Sequence, residues 1–162
     1  MAGGPFDALM AAQDAAMIVV TVAVNGESDG CLVGFHSQCG INPPRAAIWL
    51  SKANRTFELA QRAGVLGVHL LGGKQHALAA RFGGTTGDHV DKLADLNWVA
   101  GLEGVPLLED LPHRYVGRIL ERVDVGSDHV LFVVDPVDAR SRGPLHPLRL
   151  SMALDIDAGH AP

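Results

Sequence analysis

The sequence predicts a closed or partly closed β-barrel with two or three helices at its periphery. Three observations carry that prediction. Residues 17–24, 46–50 and 65–71 are short apolar runs of strand length, rich in Val, Ile and Leu. Residues 115–125 and 129–137 are two further strand-like runs, parted only by Gly126, Ser127 and Asp128, the spacing of an antiparallel pair. The third is an absence of regular strand–helix alternation. About six strands stand beside two or three helices with long connections, which disfavours a doubly wound sheet.

Taken in order, residues 5–16 are Ala- and Leu-rich behind Pro5 and predict a first helix. The run "MIVVTVAV" at 17–24 is dense in β-branched residues and predicts a buried strand. Asn25-Gly26 and Asp29-Gly30 punctuate a turn, and the next buried strand, 46–50, follows Pro43-Pro44. Residues 54–63 have helical spacing with Gly64 placed as a stop, and 65–71 are strand-like again. Residues 74–82 set Leu78, Ala79 and Phe82 on one helical face, ahead of a "GGTTGD" loop at 83–88. In the tail, Leu148, Leu150, Met152, Leu154 and Ile156 alternate with polar or small residues, the pattern of a half-buried strand.

Composition bounds the function. A chain of 162 residues is most simply one domain, and at this size it buries roughly 70 % of its unfolded surface without needing disulfides. With 48 % hydrophobic and 19 % charged residues it is not disordered. The net charge of −5 and scattered basic residues speak against nucleic-acid binding. No Lys or Arg precedes Arg45, so no secretory signal is expected, and the apolar run at 15–24 is too short to span a membrane. Two cysteines in such a chain predict free thiols and a cytoplasmic location.

Residues 31–60 hold the densest chemistry. Cys31, His36 and Cys39 could be imagined as zinc ligands, but a structural site needs a fourth, and alternation on a strand would turn His36 away from the cysteines. No metal is expected. Neither a G-x-G-x-x-G nor a P-loop motif is present. The cluster Ser51, Lys52, Asn54, Arg55 and Thr56 lies between a strand and a helix start. It reads either as an anion site or as ordinary capping with two solvated cations. His129 follows Asp128 in the tight turn between two strands, where a side chain is held at a barrel rim; a solvated turn residue is the plainer alternative.

These residues resemble a known family, the flavin reductase-like proteins with the FMN-binding split barrel. The likeness runs in order over residues 8–145. It covers "MIVVTVAVNG", "DGCLVGFHSQCGINPPRAAIWLSKANRTFELAQRAGVLGVHLL", "LAARFGG", "GVPLLED" and "DHVLFVVDPVDA". The resemblance implies a mainly β, Greek-key type FMN-binding split β-barrel with two or three peripheral helices. It is one domain over 1–162, with a core at 8–145 and a strand extension at 146–162.

It further implies a flavin-ring cradle at Val33, Gly34, Phe35, His36, Ser37, Gln38 and Cys39, and a ribityl-phosphate site at Ser51, Lys52, Asn54 and Thr56. His129 would be the catalytic candidate beside the nicotinamide. The implied activity is hydride transfer from NADH or NADPH to flavin N5, as an FMN-dependent NAD(P)H:flavin oxidoreductase. FAD is the larger alternative cofactor. A homodimer and a monooxygenase partner are implied as well. The alternative is a split-barrel protein that binds FMN, a deazaflavin or haem without flavin reductase activity.

Overall fold

The computed structural model describes residues 3–85 and 90–160. Among these, α1 (Pro5–Ala12), α2 (Arg55–Ala60) and α3 (His76–Gly83) are the α-helices. The main sheet is built from β1 (Ile18–Val24), β2 (Glu27–Val33), β3 (His36–Ile41), β4 (Pro44–Ser51), β5 (Val65–Leu70), β8 (Arg114–Asp124) and β9 (His129–Arg140). A separate hairpin joins β6 (Trp98–Ala100) to β7 (Pro106–Leu108). The strand order is β2-β1-β5-β8-β9-β4-β3, with every pair antiparallel. The two strands at the free ends, β2 and β3, follow each other in the chain. The sheet therefore stays open between them, as a split barrel, and the short β2–β3 connection crosses the split.

β1 reads as an unbroken apolar run because both of its faces are buried. Ile18, Val20 and Val22 enter the inner core with Ile48, Leu50, Leu66, Val68, Phe132 and Val134. Val19 and the preceding Met17 face an outer cluster with Phe82, Leu93, Leu108, Leu111 and Leu148. α2 adds Phe57, Leu59 and Ala60 to the inner core, while α3 covers β2 from outside with Ala79 and Phe82.

The structure departs from the sequence reading in four places. β2 and β3 are strands in a stretch read as turn and cradle. β2 opens with polar residues and β3 is a largely exposed edge strand, so neither shows an apolar alternation. Asn25 and Gly26, both with positive φ (52° and 79°), make the two-residue hairpin turn that pairs Val24 with Glu27. Asp29 and Gly30 lie within β2 rather than in that turn. The predicted loop begins after Gly83, and Thr86, Gly87 and Asp88 lie outside the described residues.

The tail is the largest correction. It is not a strand: isolated bridges pair Arg149 with Ala16 and Pro147 with Gly72, and a 3-10 turn, Leu150–Met152, follows. Its alternation has another cause. Leu148 and Ala153 are buried in the outer cluster, Leu150 and Ile156 pack against it, and Met152 and Leu154 face outward. Through Leu148, Leu150, Ala153 and Ile156 the tail packs on this chain's own core.

Candidate functional site

A cavity of about 420 Å³ lies at the split. The end of β2 contributes Val33 and the connection crossing the split Gly34 and Phe35; β4 contributes Trp49 and Ser51; Asn54 and His129 complete this side. The other side is apolar, with Met17, Leu32 and Phe82 joined by Leu150, Ala153 and Ile156 of the tail.

Backbone pairing places the polar side. The Trp49 amide donates to the Phe35 carbonyl at 3.0 Å, which ties the connection to β4. His36 Nε2 sits 2.6 Å from the Ala16 carbonyl and anchors the start of β3. Ser51 pairs with His129 across the β4–β9 ladder, and the Lys52 amide donates to the Asp128 carbonyl at 2.9 Å. Ser127 Oγ donates to the His129 carbonyl at 3.0 Å and accepts from the His129 amide at 3.3 Å. The turn histidine is thus held from three directions.

Its ring is held too. His129 Nδ1 lies 2.9 Å from Asp128 Oδ1. A carboxylate only accepts, so Nδ1 carries the proton of this hydrogen bond. The same hydrogen bond lowers the Asp128 carboxyl below the usual range. The Phe35 ring, 60 % exposed, stands 5.0 Å from the imidazole at a 53° tilt. An aromatic ring and a fixed imidazole therefore meet at the cavity, and half-buried Trp49 is also part of its lining.

The structure gathers Val33, Gly34, Phe35, Ser51, Asn54 and His129 around this cavity. It does not bring the remaining sequence-predicted residues to its lining. His36 serves as the anchor just described, and Ser37, Gln38 and Cys39 are exposed along the edge strand β3. Ser37 Oγ donates to the Gln38 carbonyl at 2.9 Å and Gln38 Nε2 to the Gly40 carbonyl at 3.0 Å, so both bond locally. The Lys52 ammonium is 2.9 Å from Asp124, beyond the cavity at the β8–β9 turn. Thr56 faces the core, where its hydroxyl donates to Asp29 at 2.9 Å. Of the imagined zinc ligands, Cys31 is buried, with its thiol pushed up to about 11 by burial, and Cys39 is exposed. Among the described residues no group of three or more metal-ligating side chains occurs.

Sequence reasoning missed Met17, Leu32, Trp49, Phe82 and the tail. Each sits in a run that signals only core packing, and only the folding of the tail back over β1 and α3 makes them cavity wall.

The chemistry of the lining fits a flavin. The volume falls in the range of small-molecule sites, the walls are apolar enough for a flat ring, and Ser51, Asn54 and His129 supply polar groups at one side. The flavin reductase like domain model matches residues 10–151. The chain belongs to the flavin reductase-like family.

Curated relatives of this flavin reductase-like chain include the reductase subunit HsaB of a flavin-dependent monooxygenase from Rhodococcus jostii. That protein is 32 % identical over 62 % of this chain, and the match spans about half of its length, 52 %. The ferric-chelate reductase (NAD(P)H) of Archaeoglobus fulgidus is 28 % identical over 76 % of this chain and 73 % of its own. Among solved structures, the FMN-binding protein of Thermus thermophilus is 26 % identical with a TM-score of 0.71, over 77 % of this chain and 69 % of its own. The NADH:FAD oxidoreductase SgcE6 of Streptomyces globisporus is 22 % identical with a TM-score of 0.79, over 93 % and 92 %; it is similar in fold.

Proposed function

We propose that this flavin reductase-like chain binds FMN in the cavity at the split and reduces flavin with NADH or NADPH. The single observation that carries this reading is the fixed pair Asp128–His129 at the mouth of an apolar, flavin-sized cavity. Bound FMN would supply the hydride-accepting ring nitrogen for a nicotinamide donor. The chain's own part is to bind, orient and shield. Val33, Gly34 and Phe35 would border the ring. Ser51 and Asn54 offer hydroxyl and amide hydrogen bonds at the polar side. His129, with Nδ1 held by Asp128, turns an imidazole toward the incoming donor to steer it.

FMN is preferred to FAD as the resident group, and the ferric-chelate reductase (NAD(P)H) relative supports a nicotinamide donor. The HsaB relative supports a monooxygenase as the consumer of reduced flavin. A homodimer belongs to the same proposal. α1 buries none of its own side chains and leaves Phe6 and Leu9 exposed, and Ile41 on edge strand β3 is 85 % exposed. Among the described residues no helix is long and apolar enough to cross a membrane, and free thiols at Cys31 and Cys39 support a cytoplasmic location.

The test is a visible absorption spectrum of the purified protein without oxygen, before and after adding FMN and then NADH or NADPH. Flavin bands that shift on binding and bleach with a nicotinamide are expected. Bands that shift but never bleach with either donor would make the chain an FMN-binding module. No shift in excess FMN would end the flavin reading.

A further inference from the structure

The family match ends at residue 151, yet the cavity does not. Ala153, Ile156, Ala158 and His160, all beyond that limit, line it together with Leu150. We propose that the C-terminal segment 153–158 is a ligand-binding wall of this chain, forming through Ala153, Ile156 and Ala158 the apolar surface on which the flavin ring, rather than its phosphate, packs. This proposal rests on the flavin reading above and adds to it the orientation of the ligand and the residues that set its affinity.

The segment is held in place by the rest of the molecule. The Met17 amide donates to the Leu148 carbonyl and the Leu148 amide to the Leu71 carbonyl, both at 2.8 Å. Asp14 accepts from the Ser151 amide and hydroxyl, each at 2.8 Å. Farther on, the Gly159 amide donates to the Gly83 carbonyl at 3.1 Å, and His76 Nε2 lies 2.9 Å from Asp155. A wall tethered at both ends is preorganised, so ordering it costs little when a ligand arrives.

Gly83 explains how Ile156 reaches its seat. A Cβ at Gly83 would stand 2.7 Å from Leu32 Cδ2 and 3.1 Å from Ile156 Cγ2. The missing side chain therefore leaves the space in which Ile156 lies against the end of α3.

The two sides of the cavity differ in chemistry, and that difference orients the ligand. Ser51 and Asn54 lie with His129 and Phe35, whereas Met17, Leu32, Phe82, Leu150, Ala153 and Ile156 form one apolar group continuous with the outer cluster. A phosphate left against that apolar group would lose its hydration with nothing in return, while a flat ring loses little there and gains contact. The ring would accordingly pack on the tail, bordered by Val33, Gly34 and Phe35, and the phosphate-bearing chain would extend toward Ser51 and Asn54.

The experiment measures the dissociation constants of FMN and of riboflavin, which lacks the phosphate, by quenching of flavin fluorescence. The proteins are the full chain, Ile156→Ala and Ala158→Trp, with melting temperatures recorded alongside. Ile156 is only partly buried and Ala158 is exposed, so both variants keep the core intact. Ile156→Ala is expected to weaken both flavins by the same factor, about 10-fold, since it removes contact with the ring alone. Ala158→Trp, which fills the cavity, is expected to weaken both further. Wild-type affinity for both flavins in both variants would overturn the wall. So would a loss confined to FMN, which would put the phosphate at the tail. A wild-type chain that binds neither flavin would overturn this proposal and the function reading together.

Discussion

His69 and His129 show how far surroundings separate two identical side chains. His69 is fully buried: its Nδ1 lies 3.2 Å from the Val19 carbonyl and its Nε2 accepts the Leu108 amide at 3.0 Å. That arrangement fixes the neutral ring, and burial pulls its pKa from 6.5 down to about 4. The unfolded chain therefore binds a proton that the folded chain refuses between those values, so stability falls as pH drops through that window. Denaturant unfolding at pH 7 and pH 5 should differ by about 2 kcal/mol. In His69→Gln, weaker at both pH values, the difference should largely vanish. The His129 ring instead stays within reach of solvent. Under the proposed function, His129→Ala should slow the anaerobic bleaching of bound flavin by roughly 10- to 100-fold while leaving FMN affinity close to wild type. Asp128→Asn should slow it less, because an amide oxygen still accepts from Nδ1. Stopped-flow absorbance with a nicotinamide in excess reads both.

At the scale of elements, two contacts set where the site's backbone lies. Arg122 of β8 donates to the Ala60 carbonyl at 3.0 Å and to the Ala63 carbonyl at 2.6 Å, with its guanidinium 5.8 Å from the Phe132 ring centre. It caps the C-terminal end of α2 and thereby fixes the helix that follows Asn54. Arg122→Lys keeps the charge but loses the planar fork, and should cost about 1–2 kcal/mol in denaturant unfolding. On the other side of β2, Gly30 lets α3 pack close. A Cβ there would stand 2.8 Å from Phe82 Cε1 and 3.1 Å from the Val20 carbonyl. Gly30→Ala should destabilise by about 1–3 kcal/mol, and because Phe82 lines the cavity it should weaken FMN binding as well. Unfolding and fluorescence titration of the same preparation would show both losses, and a stable variant with normal affinity would contradict the packing.

For the whole molecule, the open sheet and the exposed apolar residues pose one question, the oligomeric state. The proposed homodimer predicts a mass near twice that of the chain in light scattering. Phe6→Asp combined with Leu9→Asp should shift it toward the monomer if α1 lies at the interface. Both positions are exposed and α1 buries no side chain, so the melting temperature of the monomeric core should barely move.

Much of the fold was legible along the chain. Strands buried on both faces, such as β1, β5 and the inner part of β4, need unbroken apolar runs, and the tight turn before His129 needs Gly, Ser and Asp. These local demands, with the ordered resemblance, led from sequence to a split barrel and to Val33, Gly34, Phe35, Ser51, Asn54 and His129. Edge strands escaped because exposure lifts the demand for alternation, as in β3, where Ser37, Gln38 and Cys39 run along the free sheet edge. The direction of Thr56 escaped as well, since a hydroxyl at a helix start serves a ligand or a buried Asp29 equally well until the packing is known. The tail shows the division most sharply. Its alternation of apolar and polar residues determined only that one side would be buried. Whether that burial came from a sheet, a partner or this chain's own α3 was decided in three dimensions. There Gly83 leaves room for Ile156, and Met17, Phe82 and Leu148 offer the apolar surface that the tail covers.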